Sequence, residues 1–126
     1  MSKVRLSIEL PYPAKELNPN SRCHWAVKAE SARQARKYAK YVTYALSPGQ
    51  FAELRKHTKI EYQIVARPKR NRRRDDDNLI SSCKNFRDGI AEALGVNDTI
   101  FRCAGVEWEN PIKGEPGRVL FQILET

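Results

Sequence analysis

The sequence contains two kinds of hydrophobic periodicity. The order in which they occur is the feature that most constrains the fold. Four segments alternate apolar and polar residues, which is typical of a strand with one buried face; they are 4–10, 60–64, 103–109 and 119–124. In 32–46 and 79–94, apolar residues recur every three or four positions, as on one face of a helix. The order predicts β-α-β-α-β-β, an α/β protein with two helices packed on a small mixed sheet.

Local signals limit the two predicted helices. The first is expected to end at Ser47-Pro48-Gly49, and the second at Gly95, a residue type that favours the left-handed backbone after a helix. The small alanines of the first helix imply close packing against the sheet.

A chain of 126 residues without internal repeats or a long polar linker is expected to form a single domain over residues 1–126.

The compartment is inferred from what the sequence lacks. No apolar stretch approaches the ~20 residues that a membrane helix needs, and no signal-peptide pattern opens the sequence. The three cysteines, Cys23, Cys83 and Cys103, form no C-x-x-C pair, so neither a disulfide framework nor a thiolate zinc site is indicated. These features favour a cytoplasmic protein with no membrane partner.

The charge is unevenly distributed. The net formal charge is +8, and residues 67–74 contain six basic and no acidic side chains. Residues 75–126, in contrast, contain 10 acidic and 5 basic side chains. A basic body next to a local carboxylate cluster is typical of a surface that binds a polyanion such as nucleic acid.

The most informative segment is Arg72-Arg73-Arg74-Asp75-Asp76-Asp77-Asn78-Leu79. Three consecutive carboxylates repel one another, so arginines, helix amides or a metal ion must offset the repulsion. In an extended stretch, Asp75 and Asp77 project to the same side, and Asp98 beyond the second helix is a third candidate ligand. Carboxylate oxygens of this kind suit Mg²⁺, or alternatively Mn²⁺.

A purely structural role for the aspartates remains open. Aspartate is a good N-cap and complements the dipole at a helix start, and capping is a common use of a D-x-D sequence. The flanking basic residues favour the metal interpretation, because a phosphate-rich ligand needs cations beside a metal site.

This pattern resembles the signature of the RusA family of Holliday-junction resolvases. The matching motif residues are Asp75, Asp77, Asn78, Leu79, Lys84, Asp88-Gly89-Ile90 and Asp98. The N-terminal part also agrees, through Leu10-Pro11-Tyr12-Pro13, Asn20, Arg22, His24 and Trp25. The resemblance covers nearly the whole chain, and its specific part is the aspartate block with the downstream aspartate.

The resemblance implies a RusA-like fold and a metal-dependent endodeoxyribonuclease that resolves four-way junctions by paired nicks, leaving 5′-phosphate ends. Asp75, Asp77 and Asp98 would hold Mg²⁺, and Lys84 would neutralise charge on the phosphate. The two-fold symmetry of the junction calls for a homodimer. The residues expected to contact DNA are Lys69, Arg70, Arg72, Arg73, Arg74, Arg22, Arg33 and Lys37.

Lys84 departs from the pattern of the best-known family member, whose lysine falls one turn after the second aspartate, where this chain has Ser81. On a continuous helix, Lys84 lies two turns after Asp77 on the same face.

Two other functions remain open: a non-catalytic nucleic-acid-binding module, and a ribosome- or RNA-associated basic protein. Most of the tyrosines at 38, 41 and 44 are expected to pack against the protein rather than to contact bases.

Overall fold

The computed structural model describes residues 3–46 and 53–125, which contain a four-stranded mixed sheet. Its strands are β1 (Val4–Pro11), β2 (Ile60–Arg67), β3 (Phe101–Trp108) and β4 (Arg118–Leu124). The sheet order is β1-β4-β2-β3; β4 is antiparallel to both neighbours, and β2 is parallel to β3. The carboxyl ends of β1, β2 and β3 therefore lie at one edge, here named the carboxyl edge. The predicted α/β class with a mixed sheet is confirmed.

The α-helices whose bounds lie within the described residues are α1 (Trp25–Tyr44), α2 (Asp76–Ser82) and α3 (Lys84–Leu94), and Glu53 and Leu54 are helical as well. Short 3₁₀ turns at Lys15–Leu17 and Asp98–Ile100 complete the regular structure. None of these helices is both long enough and apolar enough to span a membrane.

The prediction of one continuous second helix was wrong, because the helix is interrupted at Cys83. Cys83 has φ −93° and ψ 3°, and α3 begins at the next residue. Just before the break, the Ser82 hydroxyl donates to the Asn78 carbonyl oxygen at 2.8 Å, a bond of the kind that bends helices. Both helices still bury the predicted apolar face, and α3 ends at Gly95 with φ 74°, as expected.

Helix α1 makes its closest contacts with α3, and its buried Ala39 belongs to the same core as the strand residues, as expected for a helix that covers the sheet. The close approach depends on Gly89 of α3, where an added Cβ would lie 2.2 Å from the carbonyl oxygen of Arg36 and 3.2 Å from the Ala39 Cβ. Helix α1 ends at Tyr44; the predicted stop at 47–49 lies outside the described residues.

The hydrophobic core lies between the helices and one face of the sheet. Its strand residues include Ile8, Ile64 and Phe121, each about 1% exposed, and the Tyr62 ring stacks on Phe121 at 4.3 Å. The three cysteines are free thiols. Burial raises the pKa of the Cys83 thiol to about 12, so this thiol stays protonated at neutral pH.

Candidate nucleic-acid and metal site

An open cleft of about 530 Å³ lies at the carboxyl edge of the sheet and is named the edge cleft. Residues after β1, the start of α2 and the end of β3 line it; among them are Tyr12, Asn20, Arg72, Arg73, Asp75 and Trp108. In open α/β sheets, ligands bind beyond the carboxyl ends of the strands. The sheet order thus brings part of the basic run and one predicted metal ligand into one concave surface.

Asp75 is the N-cap of α2. It has an extended backbone, with φ −129° and ψ 108°, and its Oδ1 accepts from the Asn78 backbone N–H at 3.0 Å. The capping role left open by the sequence is therefore present. The cap uses one carboxylate oxygen, and the second can still accept a bond or ligate a cation.

The predicted arrangement of the three aspartates was wrong in one respect. Only Asp75 is extended; Asp76 and Asp77 already form the first turn of α2. The alternation of side chains expected for an extended stretch therefore does not apply to Asp75 and Asp77. Asp77 is exposed on this first turn.

Trp108 connects the acidic segment to the basic run. Its Nε1–H donates to Asp76 Oδ1 at 2.7 Å, and the Arg74 guanidinium carbon lies 5.9 Å from the centre of its ring. Arg74 also donates to Asn110 Oδ1 at 3.0 Å. Hydrophobic periodicity does not reveal this role of Trp108, because the contact depends on where β3 ends in the sheet.

The other cations of the basic run have different surroundings. The Arg72 guanidinium lies 5.3 Å from the centre of the Tyr12 ring, a cation–π contact at the end of β1. Burial raises the pKa of Tyr12, and the Arg72 charge partly opposes that shift. Arg73 lines the edge cleft, whereas Lys69 and Arg70 line a separate hollow beside the turn that precedes β4.

Asp98 lies in a second acidic group with Asp88. Arg87 lies 3.5 Å from a carboxylate oxygen of each. Burial raises the pKa of Asp88, the neighbouring Asp98 carboxyl raises it further, and the Arg87 charge partly opposes both effects. Within the part of the chain that the structure describes, no three His, Cys, Asp or Glu side chains converge as metal ligands, so Asp75, Asp77 and Asp98 form no such group.

Lys84 is the first residue of α3 and is exposed. The prediction that it shares a helical face with Asp77 assumed one continuous helix, and the helix is interrupted at Cys83, between the two residues. A cation in the first helical turn is disfavoured by the helix dipole, so helix stability gives no reason for a lysine here. Its proposed role at the phosphate stays a prediction.

Three further predicted DNA contacts lie outside the lining of the edge cleft. Arg22 is exposed in the loop before α1. Arg33 makes a bidentate pair with Glu30 at 2.6 and 3.0 Å, and these bonds lower the pKa of Glu30. Lys37 is exposed on α1, with its ammonium 5.9 Å from the centre of the Tyr41 ring.

Comparison with known proteins gives one relative without an assigned activity. No protein-family model matches the sequence. The chain is similar to an uncharacterized protein of Xylella fastidiosa (strain Temecula1), with 36% identity over 99 residues. The match covers 79% of this chain and 64% of the relative, so the chain spans less than two thirds of that protein. The functional conclusion therefore depends on the geometry of the cleft.

Proposed function

We propose that the protein is a Mg²⁺-dependent endodeoxyribonuclease that resolves four-way DNA junctions by paired nicks with 5′-phosphate ends, as the RusA family does. The observation that carries the proposal is the edge cleft, which contains the Asp75 carboxylate together with Arg72 and Arg73. The arginines suit a phosphodiester backbone. A carboxylate in the same cleft would repel that backbone unless a cation lay between them.

The carboxylates present fit the proposed ion in part. Mg²⁺ keeps several waters and is commonly bound by one or two carboxylates together with substrate phosphates. Asp75 and Asp77 are donors of this type, whereas Asp98 would have to exchange its contact with Arg87 to join them. When bound, Mg²⁺ or Mn²⁺ would supply Lewis acidity and a water of lowered pKa.

The protein's own side chains would bind and orient the DNA. Arg73 lines the cleft and would donate to phosphate oxygens, and the guanidinium groups of Arg72 and Arg74 lie over aromatic rings. A fixed guanidinium loses little entropy when it donates to a phosphate. Lys69 and Arg70 would contact the backbone farther along, and Lys84 would neutralise charge on the scissile phosphate.

A homodimer and a cytoplasmic location complete the proposal. A two-fold junction is matched by two sites related by a two-fold axis. The apolar residues of β3 and β4 are the candidates for the contact between copies. Of these, Phe121 lies in the core and Val106 packs against it, so these two do not supply the contact. Leu120 alternates with the buried Val119 and Phe121 and lies on the opposite face of the sheet, which we expect to form the dimer contact.

A non-catalytic nucleic-acid-binding protein is the second candidate. Two observations favour it: Asp75 caps α2, and Asp76 accepts from Trp108. These are structural uses that need no metal. This candidate predicts binding that is indifferent to Mg²⁺, and an RNA-associated protein would also prefer RNA to branched DNA.

The deciding experiment incubates the purified protein with an end-labelled four-way junction, in Mg²⁺ or in EDTA, beside a linear duplex of the same arm sequence. We expect paired nicks in the junction with Mg²⁺, and binding without cleavage in EDTA. Equal binding in both conditions without any cleavage would overturn the nuclease proposal and favour the second candidate. Light scattering should give about twice 14.5 kDa.

A further inference from the structure

Helix α1 presents a row of exposed tyrosines. Tyr38, Tyr41 and Tyr44 are 50%, 62% and 50% exposed, so the expectation that most of them pack against the protein was wrong. Residues three apart are neighbours on a helix surface, and the three positions span about 9 Å along the axis. This tyrosine row leaves three large aromatic side chains half or more in solvent, and core packing does not account for that exposure.

The surface around the tyrosine row is positive. Helix α1 contains five basic residues and one acidic residue, Glu30. The Lys37 ammonium lies 5.9 Å from the centre of the Tyr41 ring, and the Lys40 ammonium lies 5.9 Å from that of Tyr44. Lys40 also pairs with Glu92 at 3.0 Å, whereas Lys37 is the more exposed cation. Aromatic faces thus alternate with positive charge along one side of the helix.

The tyrosine row begins next to the edge cleft. Tyr38 lines a mostly apolar hollow of about 310 Å³ between α1 and the end of β1, and Phe86 forms part of its wall. Tyr12 and Ala14 line both this hollow and the edge cleft. The hollow and the edge cleft therefore adjoin each other, and the first ring of the tyrosine row lies at the hollow.

We propose that the tyrosine row binds an unpaired stretch of a nucleic-acid strand, with bases stacked on the rings and phosphates near Lys37 and Lys40. Stacking on aromatic side chains beside a positive surface is how proteins bind single strands without sequence preference. A second copy of the chain fits less well, because two-fold pairing would bring two positive helices together. The inference rests on the proposed function only because it takes the class of ligand, nucleic acid, from it. It does not depend on cleavage.

The test measures binding of a fluorescently labelled oligothymidylate by anisotropy, in EDTA so that no metal-dependent cleavage occurs. Tyr41→Ala should weaken binding at least about five-fold, the lower end of what loss of one base–aromatic stack costs. Tyr41→Phe keeps the ring and should stay within about two-fold of the wild type. Val4→Ala is the matched control, since Val4 is an exposed apolar residue at the opposite edge of the sheet.

Salt dependence gives a second readout. Lys37→Gln should reduce the slope of log affinity against log salt by about 0.7, the value for one phosphate contact on a single strand. Wild-type affinity in Tyr41→Ala, or equal losses in Tyr41→Phe and Tyr41→Ala, would overturn the inference. A change in molecular mass in Tyr41→Ala with unchanged DNA binding would also overturn it, because the row would then join copies of the chain.

Junction cleavage is read separately from strand binding. Mg²⁺-dependent cleavage with no measurable binding of oligothymidylate would overturn this inference and leave the proposed function standing. Ring-dependent binding of oligothymidylate by a protein that never cleaves a junction would support the inference and count against the nuclease.

Discussion

The two acidic regions of the molecule differ in how their negative charge is balanced. In the first, Asp75, Asp76 and Asp77 open α2 at the edge cleft, and N–H donors from a backbone amide and an indole satisfy two of the carboxylates. In the second, Asp88 and Asp98 share the guanidinium of Arg87 and are shielded enough for burial to raise the pKa of Asp88.

The difference lies in where the neighbouring arginines are placed. Arg72 and Arg74 contact aromatic rings, and among the described residues no ion pair links them to the three aspartates. The first region therefore keeps both signs of charge accessible within one cleft, which suits a phosphate and a cation bound together. In the second region, the two carboxylates share one guanidinium, so part of their charge is already offset by a neighbouring side chain.

Substitution at Asp75 should have the largest effect and directly tests the ligand-binding character of the first region. Asparagine caps helices as well as aspartate does, so Asp75→Asn should keep the stability of α2. It removes one negative charge, so cleavage of a four-way junction should fall at least about a hundred-fold, as expected for loss of one electrostatic group at the reacting phosphate. Gel-based cleavage rates and thermal melting check both expectations.

Asp75→Ala is the matched variant, because it removes the cap as well as the charge. It should lose about 1 kcal/mol of unfolding free energy in addition to the activity. DNA binding by Asp75→Asn should be equal or tighter, since repulsion of the phosphates is relieved. Cleavage within a few-fold of the wild type in Asp75→Asn would make Asp75 a helix cap and nothing more.

A smaller effect is expected from the basic run, where two arginines next to each other in sequence have different contacts. Arg73→Gln should reduce the salt slope of duplex binding by about 0.9, the value for one lost phosphate contact. Arg74→Gln should change that slope less and lower the melting temperature more, because it loses contacts with Trp108 and Asn110. Equal slopes in the two variants would show that both guanidinium groups reach DNA to the same extent.

Much of the fold was predictable because strands and helix ends depend on residues that are close together in the sequence. Alternation located β1 to within a residue, and Gly95 ended α3 as its backbone freedom predicts. The break at Cys83 was not predictable from periodicity, since the apolar spacing continues through both helices. The Ser82 hydroxyl bonds to the Asn78 carbonyl beside the break, and the packing of α1 on α3 depends on the space left by Gly89.

The site was predictable only in its charged part. Consecutive arginines and aspartates are visible in sequence, whereas Tyr12 and Trp108 enter the cleft because β1, β2 and β3 end at one edge of the sheet. That alignment is set by strand pairing over long sequence distances. Asp98 was grouped with Asp75 and Asp77 as a third carboxylate beyond the second helix, but the chain places it against Arg87 and Asp88.

The smallest expected effect concerns pH and tests whether the second acidic region is closed. A carboxyl with a raised pKa holds its proton more tightly in the folded than in the unfolded state. Asp88 should therefore make the protein lose stability as pH rises from the ordinary value of 3.8 through its raised pKa. Asp88→Asn stays neutral and lacks this dependence, so its stability relative to the wild type should increase over that window.

Glu92, one turn farther along α3, is the matched control of opposite sign. The hydrogen bond and charge of Lys40 lower its pKa, so its contribution is present above 4.5 and is lost as pH falls through the lowered pKa. Relative to Glu92→Gln, the wild type should therefore gain stability as pH rises through that lower window. Denaturant unfolding of the wild type and both variants at several acidic pH values measures, for each position, the slope against pH of the stability difference between wild type and variant. Slopes of the same sign would mean that Asp88 titrates like an exposed carboxylate paired with a cation, and the second region would then be as open to solvent as the first.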